Sequence, residues 1–166
     1  MARTQGDVTV TLSVLDRLID REPKSQVEAP LSRSQSVRMM KTAVRRDLEW
    51  LLNSRRIPQE PGESLKELNR SVYVYGLPDF SQYASASAAD RANLVRQVLA
   101  AIKLFEPRLT EVRVVPVESA ETGIQEFRFR IEGLLLMDPS PEPISFDTTV
   151  ESKTNICRLT GGPDAG

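Results

Sequence analysis

The stretch Phe105-Glu106-Pro107-Arg108-Leu109 separates two kinds of periodicity. Before it, apolar residues recur every three or four positions; after it, every two. The reading is an α+β chain, with N-terminal helices packed on a C-terminal antiparallel β-meander. Pro107 excludes Glu106 from the α region, so the preceding helix ends there. A carboxylate at a helix C-terminus opposes the macrodipole, by roughly 0.3–1 kcal/mol where exposed, whereas Arg108 has the favoured sign. Two readings stand. One is a helix stop with incidental charges; the other is a Glu/Arg pair that a rigid proline presents at the helix-to-sheet junction. A broken local rule without a local gain is what a functional position looks like.

Working back from the stretch, Leu94, Val98, Ile102 and Phe105 share a helical face that Ser87 opens, with Asp90 three residues on. Further upstream, Ser32-Arg33-Ser34-Gln35 fits a capping box before a longer helix. Its stripe of Val37, Met40, Val44, Leu48 and Leu51 is widened by Trp50 and Leu52, which makes it the main core element. On another face Arg45 and Glu49 have the i,i+4 spacing of an ion pair. Ser64-Leu65-Lys66-Glu67 predicts a short helix through Leu68 to about Val72, and Leu12, Leu15, Leu18 and Ile19 predict another over 11–19. Prolines and polar residues mark 21–31 and 53–63 as connections. Residues 73–81 form an aromatic segment bent by Gly76 and Pro78, and 82–86 read as a linker.

Working forward, Val112, Val114 and Pro116 fall on one face of a strand, with Val115 and Val117 on the other. A turn at 118–123 leads to alternation over 125–135, where Phe127, Phe129, Ile131 and Gly133 oppose Arg128, Arg130, Glu132 and Leu134. Gly133 is a natural place for a bulge or bend. After the stiff Asp138-Pro139-Ser140-Pro141-Glu142-Pro143, a third strand alternates Ile144, Phe146, Thr148 and Val150 against Ser145, Asp147, Thr149 and Glu151. Ile156 and Arg158 belong to a short last strand, and Gly161-Gly162-Pro163 to a tail. The first and third strands are candidate edges. An edge at Ile144, Phe146, Thr148 and Val150 would accept a partner's strand through main-chain hydrogen bonds, unless the C-terminal residues fold back over it.

The 166 residues suit one domain over 10–159, with a flexible arm at 1–9 and a flexible tail at 160–166. Net charge is −1, so no global field draws nucleic acid. No apolar run approaches the roughly 18 residues of a membrane span and no signal peptide opens the chain, so a cytosolic protein without direct membrane insertion is expected. The absence of histidine removes Ser-His-Asp and Cys-His catalysis and the usual zinc sites, so no catalytic, metal or cofactor set is assigned. Cys157, the lone cysteine, reads as a small packed hydrophobe. Gly161-Gly162 precedes no helix and forms no phosphate loop. Arg45-Arg46 and Arg55-Arg56 read as a solvated helix face and loop, with an acidic partner as the other reading. Paired carboxylates, such as Glu106 with Glu111 or Asp147 with Glu151, are the enzyme-like chemistry that remains.

Four stretches in order resemble one family. Arg46-Asp47-Leu48-Glu49-Trp50-Leu51-Leu52-Asn53-Ser54-Arg55-Arg56 and Ser71-Val72-Tyr73-Val74-Tyr75-Gly76-Leu77-Pro78-Asp79-Phe80-Ser81 resemble segments of TssE, the small baseplate subunit of type VI secretion systems. Phe105-Glu106-Pro107-Arg108-Leu109 resembles the Glu-Pro-Arg motif shared with contractile-phage baseplate wedge proteins, and Pro141-Glu142-Pro143-Ile144-Ser145-Phe146-Asp147-Thr148 the family's C-terminal strand entry. The likeness runs from about Val10 to Val150. It implies a fold like the sheath's handshake domain, in which neighbouring subunits exchange strands. It also implies a non-enzymatic place in the wedge with TssF, TssG and TssK, on the cytoplasmic side of the inner membrane. There the family starts the sheath of TssB and TssC around the Hcp tube, near the VgrG spike. The Glu-Pro-Arg role carries over to Glu106, Pro107 and Arg108 as a partner contact. On that reading, alanine at Glu106 or Arg108 blocks assembly and leaves melting unchanged. The superfamily's lysozyme-like label implies the alternative, a peptidoglycan-cleaving enzyme; a free-standing peptide-binding adaptor is the third reading.

Overall fold

Two capping boxes set the two long helices. In the computed structural model of the chain, Ser32 Oγ accepts from Gln35 N–H at 3.3 Å and Gln35 Oε1 accepts from Ser32 N–H at 2.9 Å. These bonds satisfy donors that a helix start leaves orphaned, and helix α2 runs from there over Arg33–Asn53. Ser87 and Asp90 repeat the arrangement for α3, Ala88–Phe105. A short α1, Val14–Leu18, precedes both. The structure describes residues 13–19, 32–79, 87–117, 126–151, 154 and 156–161. The expected arm, Leu12, the 21–31 connection, the last two residues of the aromatic segment, the 82–86 linker, the 118–123 turn and the tail beyond Gly161 lie outside the described residues.

The strands are β1 Leu109–Val117, β2 Glu126–Leu135, β3 Glu142–Glu151 and β4 Cys157–Thr160, paired as an antiparallel meander in the order β1-β2-β3-β4. This is the α+β architecture that the change of period indicated. Met40, Val44, Leu48, Leu51 and Leu52 of α2, with Leu94, Val98 and Ile102 of α3, pack against Phe127, Phe129, Ile131, Phe146, Val150 and Leu159 of the sheet. Full burial of one such side chain contributes about 1.5–3 kcal/mol. Cys157 belongs to this core, where burial pushes its thiol up to about 12. No helix among the described residues is long and apolar enough to cross a membrane.

Three local expectations change. The bulge lies on β1, not at Gly133: register shifts between Thr110 and Arg113, and Glu111 takes φ 51°. The inserted residue lets Leu109 and Val112, three apart, both face the core, while Pro116 is exposed rather than sharing Val112's burial. Gly133 sits opposite, where a Cβ would come within 3.1 Å of Thr110 O. Next, the segment after Ser64 forms two 3₁₀ turns, Leu68–Arg70 and Val72–Val74, because Ser71 ends the first and caps the second. Lastly, Arg45 and Glu49 form no ion pair; Glu49 Oε1 accepts from Leu159 N–H at 3.2 Å.

Candidate functional site

Where α3 ends, Glu106 N–H donates to Ile102 O at 2.8 Å and Glu106 O accepts from Leu109 N–H at 3.1 Å, so the chain turns directly into β1. The turn drives the Glu106 side chain inward, leaving the residue 4% exposed. A buried carboxylate at the negative end of a helix needs a cation. Arg108 supplies it as a fork: Nε donates to Glu106 Oε1 at 2.6 Å and Nη2 to Oε2 at 2.5 Å. Pro107 is exposed and holds the two side chains to one side of the turn.

The fork continues across the molecule. Arg108 Nη2 donates to Asp47 Oδ2 of α2 at 2.7 Å, and Asp47 Oδ1 accepts from Arg46 Nε at 2.9 Å. Arg46 Nη1 donates to Asp16 Oδ1 of α1 at 2.7 Å, and Asp16 Oδ2 accepts from Ser13 Oγ at 2.5 Å. Charges alternate from Glu106 through Arg108, Asp47 and Arg46 to Asp16, tying the α3–β1 junction to α2 and α1. The Arg46 guanidinium also lies 5.1 Å from the ring centre of Trp50, which is 55% exposed and so stands outside the core stripe it was expected to widen.

The electrostatics follow these bonds. The hydrogen bonds to Glu106, then those to Asp47, hold Arg108 well above the ordinary guanidinium value against the opposing effect of burial. Arg46 is raised first by its bond to Asp16 and then by Asp47. Burial acts most on Asp16 and would raise it, but Ser13, Arg46 and the charge of Arg108 together bring it below its ordinary value. Tyr75, which packs edge-on to Phe105 at 5.1 Å, is raised by burial and then by the charges of Asp47 and Glu106. With both oxygens of Glu106 and both of Asp47 engaged, the arrangement staples elements together and offers no free acid–base pair.

Of the sequence-derived site residues, the structure brings Glu106, Pro107 and Arg108 together and sets the others apart on β3. Ile144, Phe146, Thr148 and Val150 are buried on the core face. Thr148 and Val150 pair with β2 on one side and with Leu159 and Cys157 of β4 on the other. The third strand is therefore no edge along its C-terminal half: the buried alternation of Cys157 and Leu159 folds β4 over it. Asp147 is bonded by Arg130 at 2.6 Å and Glu151 by Arg158 at 3.2 Å; Glu111 is exposed on the bulge while Glu106 is buried. Sequence reasoning missed Asp47 and Asp16, and gave Arg46 an acidic partner only as its second reading. Asp47 left a signal, since a charge three residues after Val44 and four before Leu51 falls inside the apolar stripe of α2.

Comparison with known proteins adds the following. The family described as baseplate wedge protein gp25 matches residues 38–140, a span holding Asp47, Glu106 and Arg108. Among curated proteins there is no match. Among solved structures, a chain of "The baseplate complex from the type VI secretion system" is similar, with 20% identity and a TM-score of 0.47 over 66% of this chain and 93% of that one.

Proposed function

We infer the function from one premise, that the chain belongs to the baseplate wedge protein gp25 family. It is a structural, non-enzymatic component of a baseplate, and the baseplate is that of a type VI secretion system. The observation that carries this is the match over 38–140, which takes in most of α2 and all of α3, β1 and β2 and contains the complete Glu106–Arg108–Asp47 connection. The four TssE-like stretches support the type VI assignment, with TssF, TssG and TssK as wedge partners. The protein starts the TssB–TssC sheath by adding a sheath strand to an edge of its own sheet, in the cytoplasm beside the Hcp tube and VgrG spike. Main-chain pairing to an existing edge copies a strand-to-strand contact without a dedicated pocket.

The staple supports this role by fixing where the edge stands. It holds the first residues of β1 to α2 through Arg108, so the sheet keeps one orientation relative to the helices. The peptidoglycan-cleaving alternative needs two available carboxylates, and Glu106, Asp147 and Glu151 are each engaged by an arginine. Affinity purification of the tagged protein from cells with assembled baseplates is expected to recover TssF, TssG, TssB and TssC. Recovery of none of them would overturn the proposal. Lysis of purified cell wall that a single Asp or Glu substitution abolishes would establish the enzyme instead.

A further inference from the structure

The two outer strands of the sheet are finished differently. Glu151 N–H donates to Ile156 O at 3.1 Å, and β3 pairs Thr149 with Arg158 and Asp147 with Thr160. Antiparallel alternation therefore turns the main-chain groups of Cys157 and Leu159 outward, where another strand would bind. Two side chains of α2 occupy that position. Cys157 N–H donates to Asn53 Oδ1 at 2.9 Å, and Asn53 Nδ2 donates to Cys157 O at 2.9 Å. Leu159 N–H donates to Glu49 Oε1 at 3.2 Å. The primary amide supplies the acceptor and the donor that a neighbouring strand residue would supply. The spacing fits as well: four helical residues rise about 6 Å, close to the roughly 6.8 Å between alternate residues of a strand.

β1, at the other margin, has no main-chain partner on its outer side among the described residues. A proline in a sheet is tolerated at an edge with its nitrogen outward, so Val114, two residues before Pro116, presents an outward N–H and C=O. Val115 and Val117 beside it are 45% and 38% exposed. The remaining unpaired stretch, at the start of β3, carries Pro143 as β1 carries Pro116, but the exposed residues beside it are the polar Ser145 and Asp147 rather than valines.

We propose that Glu49 and Asn53 are an edge cap that closes β4 to strand addition and confines an incoming strand to β1. This rests on the reading that the protein seeds a polymer by strand addition. The occupant of β1 is an extended segment of a partner chain, with apolar side chains at alternate positions that cover Val115 and Val117. One capped margin, and one with no main-chain partner among the described residues, make addition one-directional. The cap also stops β1 of one copy from adding to β4 of the next, the head-to-tail contact that would give open filaments.

The test uses the purified full chain alone, so its result is independent of whether wedge and sheath subunits are recovered from cells. Amide hydrogen exchange at Cys157 and Leu159 and the mass by light scattering across concentration are measured for wild type, Glu49→Gln and the double variant Glu49→Leu/Asn53→Leu. Glu49→Gln keeps the acceptor and is expected to match a monomeric wild type. In the double variant exchange is expected to accelerate by about tenfold, the loss of a net hydrogen bond, and mass to rise with concentration. Val114→Pro added to it is expected to restore the monomer. Unchanged exchange, a double variant that stays monomeric, or association that Val114→Pro leaves intact would each overturn the proposal. Should the double variant not fold, Asn53→Asp removes the donor to Cys157 O and is expected to show the same two changes more weakly. Loss of the fold there too would make these side chains core supports, and the proposal would fall.

Discussion

Arg108 Nη2 lies 2.7 Å from Asp47 Oδ2, joining residues 61 positions apart, while the same guanidinium holds both oxygens of Glu106. The carboxylate that looks misplaced at the end of α3 is thus the buried end of an ion-pair chain. A helix stop and a built site are here one feature, because the proline that ends the helix also sets the two charges side by side. What the fork stabilises is the junction between helices and sheet, and a partner that met Arg108 would meet a residue already oriented.

Arg108→Ala is expected to lower stability, in contrast to the unchanged melting implied by a pure assembly contact. Removing the cation leaves Glu106 buried with only the main-chain N–H of residue 108, at 3.4 Å, as a partner, and loss of the cation costs about 3–5 kcal/mol in a fully buried pair. The Arg108 side chain is 26% exposed, so water offsets part of this and about 2 kcal/mol remains. At this size that lowers Tm by roughly 4–8 °C. Glu106→Ala leaves Arg108 with Asp47 and solvent, and a smaller fall is expected. Thermal melting of both variants checks the order, and equal, wild-type Tm values would restore the assembly-only reading. Any assembly defect in Arg108→Ala should be measured at a temperature well below its own transition.

Acid is expected to loosen α1 before it unfolds the protein. Asp16 is held below its ordinary value of 3.8, so its contribution is complete above that pH and is lost as pH falls through the lower folded value. Trp50, the single tryptophan, stacks on the Arg46 that Asp16 binds and reports the change by fluorescence. A flat signal from pH 7 to about 5 and a shift below pH 3.8 are expected. Asp16→Asn should give the acid signal at neutral pH. A transition centred near pH 6 would assign the effect to another group.

The main faces of α2 and α3 and the switch to period two were legible, because each is set within a few residues, whereas the Glu106–Arg108 pair was one of two open readings and Leu15, Leu18 and Ile19, expected to form an apolar helix face, are exposed. Asp47 shows where that stops: its partner is 61 positions away, and only its intrusion into the apolar stripe hinted at a bond. Glu49 offered a local partner in Arg45, yet it takes the Leu159 amide, since that outward N–H of β4 has no other described acceptor. Gly133 is where a glycine's usual role would place the bulge. The bulge formed instead across the ladder at Glu111, and Gly133 serves by leaving room for it.

Thr148→Val is expected to stabilise the protein. Thr148 Oγ1 is buried with no hydrogen-bond partner among the described residues, between Phe129 and Leu159 on the adjoining strands. A buried unsatisfied hydroxyl costs about 1–3 kcal/mol, and valine fills nearly the same shape. A gain of about 1 kcal/mol, or roughly 2–4 °C in Tm, is expected. A drop in Tm would mean that the hydroxyl has a bridging water. Because the side chain faces the core, the effect belongs to stability and should leave strand addition at β1 unchanged.

Gly76→Ala is expected to weaken the staple from a distance. Gly76 adopts φ +100°, and an added Cβ would lie 2.5 Å from Ser54 O. That oxygen accepts from Leu77 N–H at 3.0 Å, and Arg56 N–H donates to Leu77 O at 2.9 Å, so this contact fastens the aromatic segment to the end of α2. Alanine must adopt a disfavoured backbone and also move a hydrogen-bonded carbonyl. Together these cost about 2 kcal/mol, or roughly 4–8 °C in Tm. Gly62→Ala is the control, since its Cβ would meet only Ser64 Oγ at 3.9 Å. The displacement should reach Tyr75, which packs on Phe105 beside Glu106, and speed exchange of the Glu106 amide relative to the control. Equal melting of the two variants would show that the Ser54 contact yields freely. A lower Tm for Gly76→Ala with Glu106 exchange unaltered would confine the strain to the aromatic segment and leave the staple independent of it.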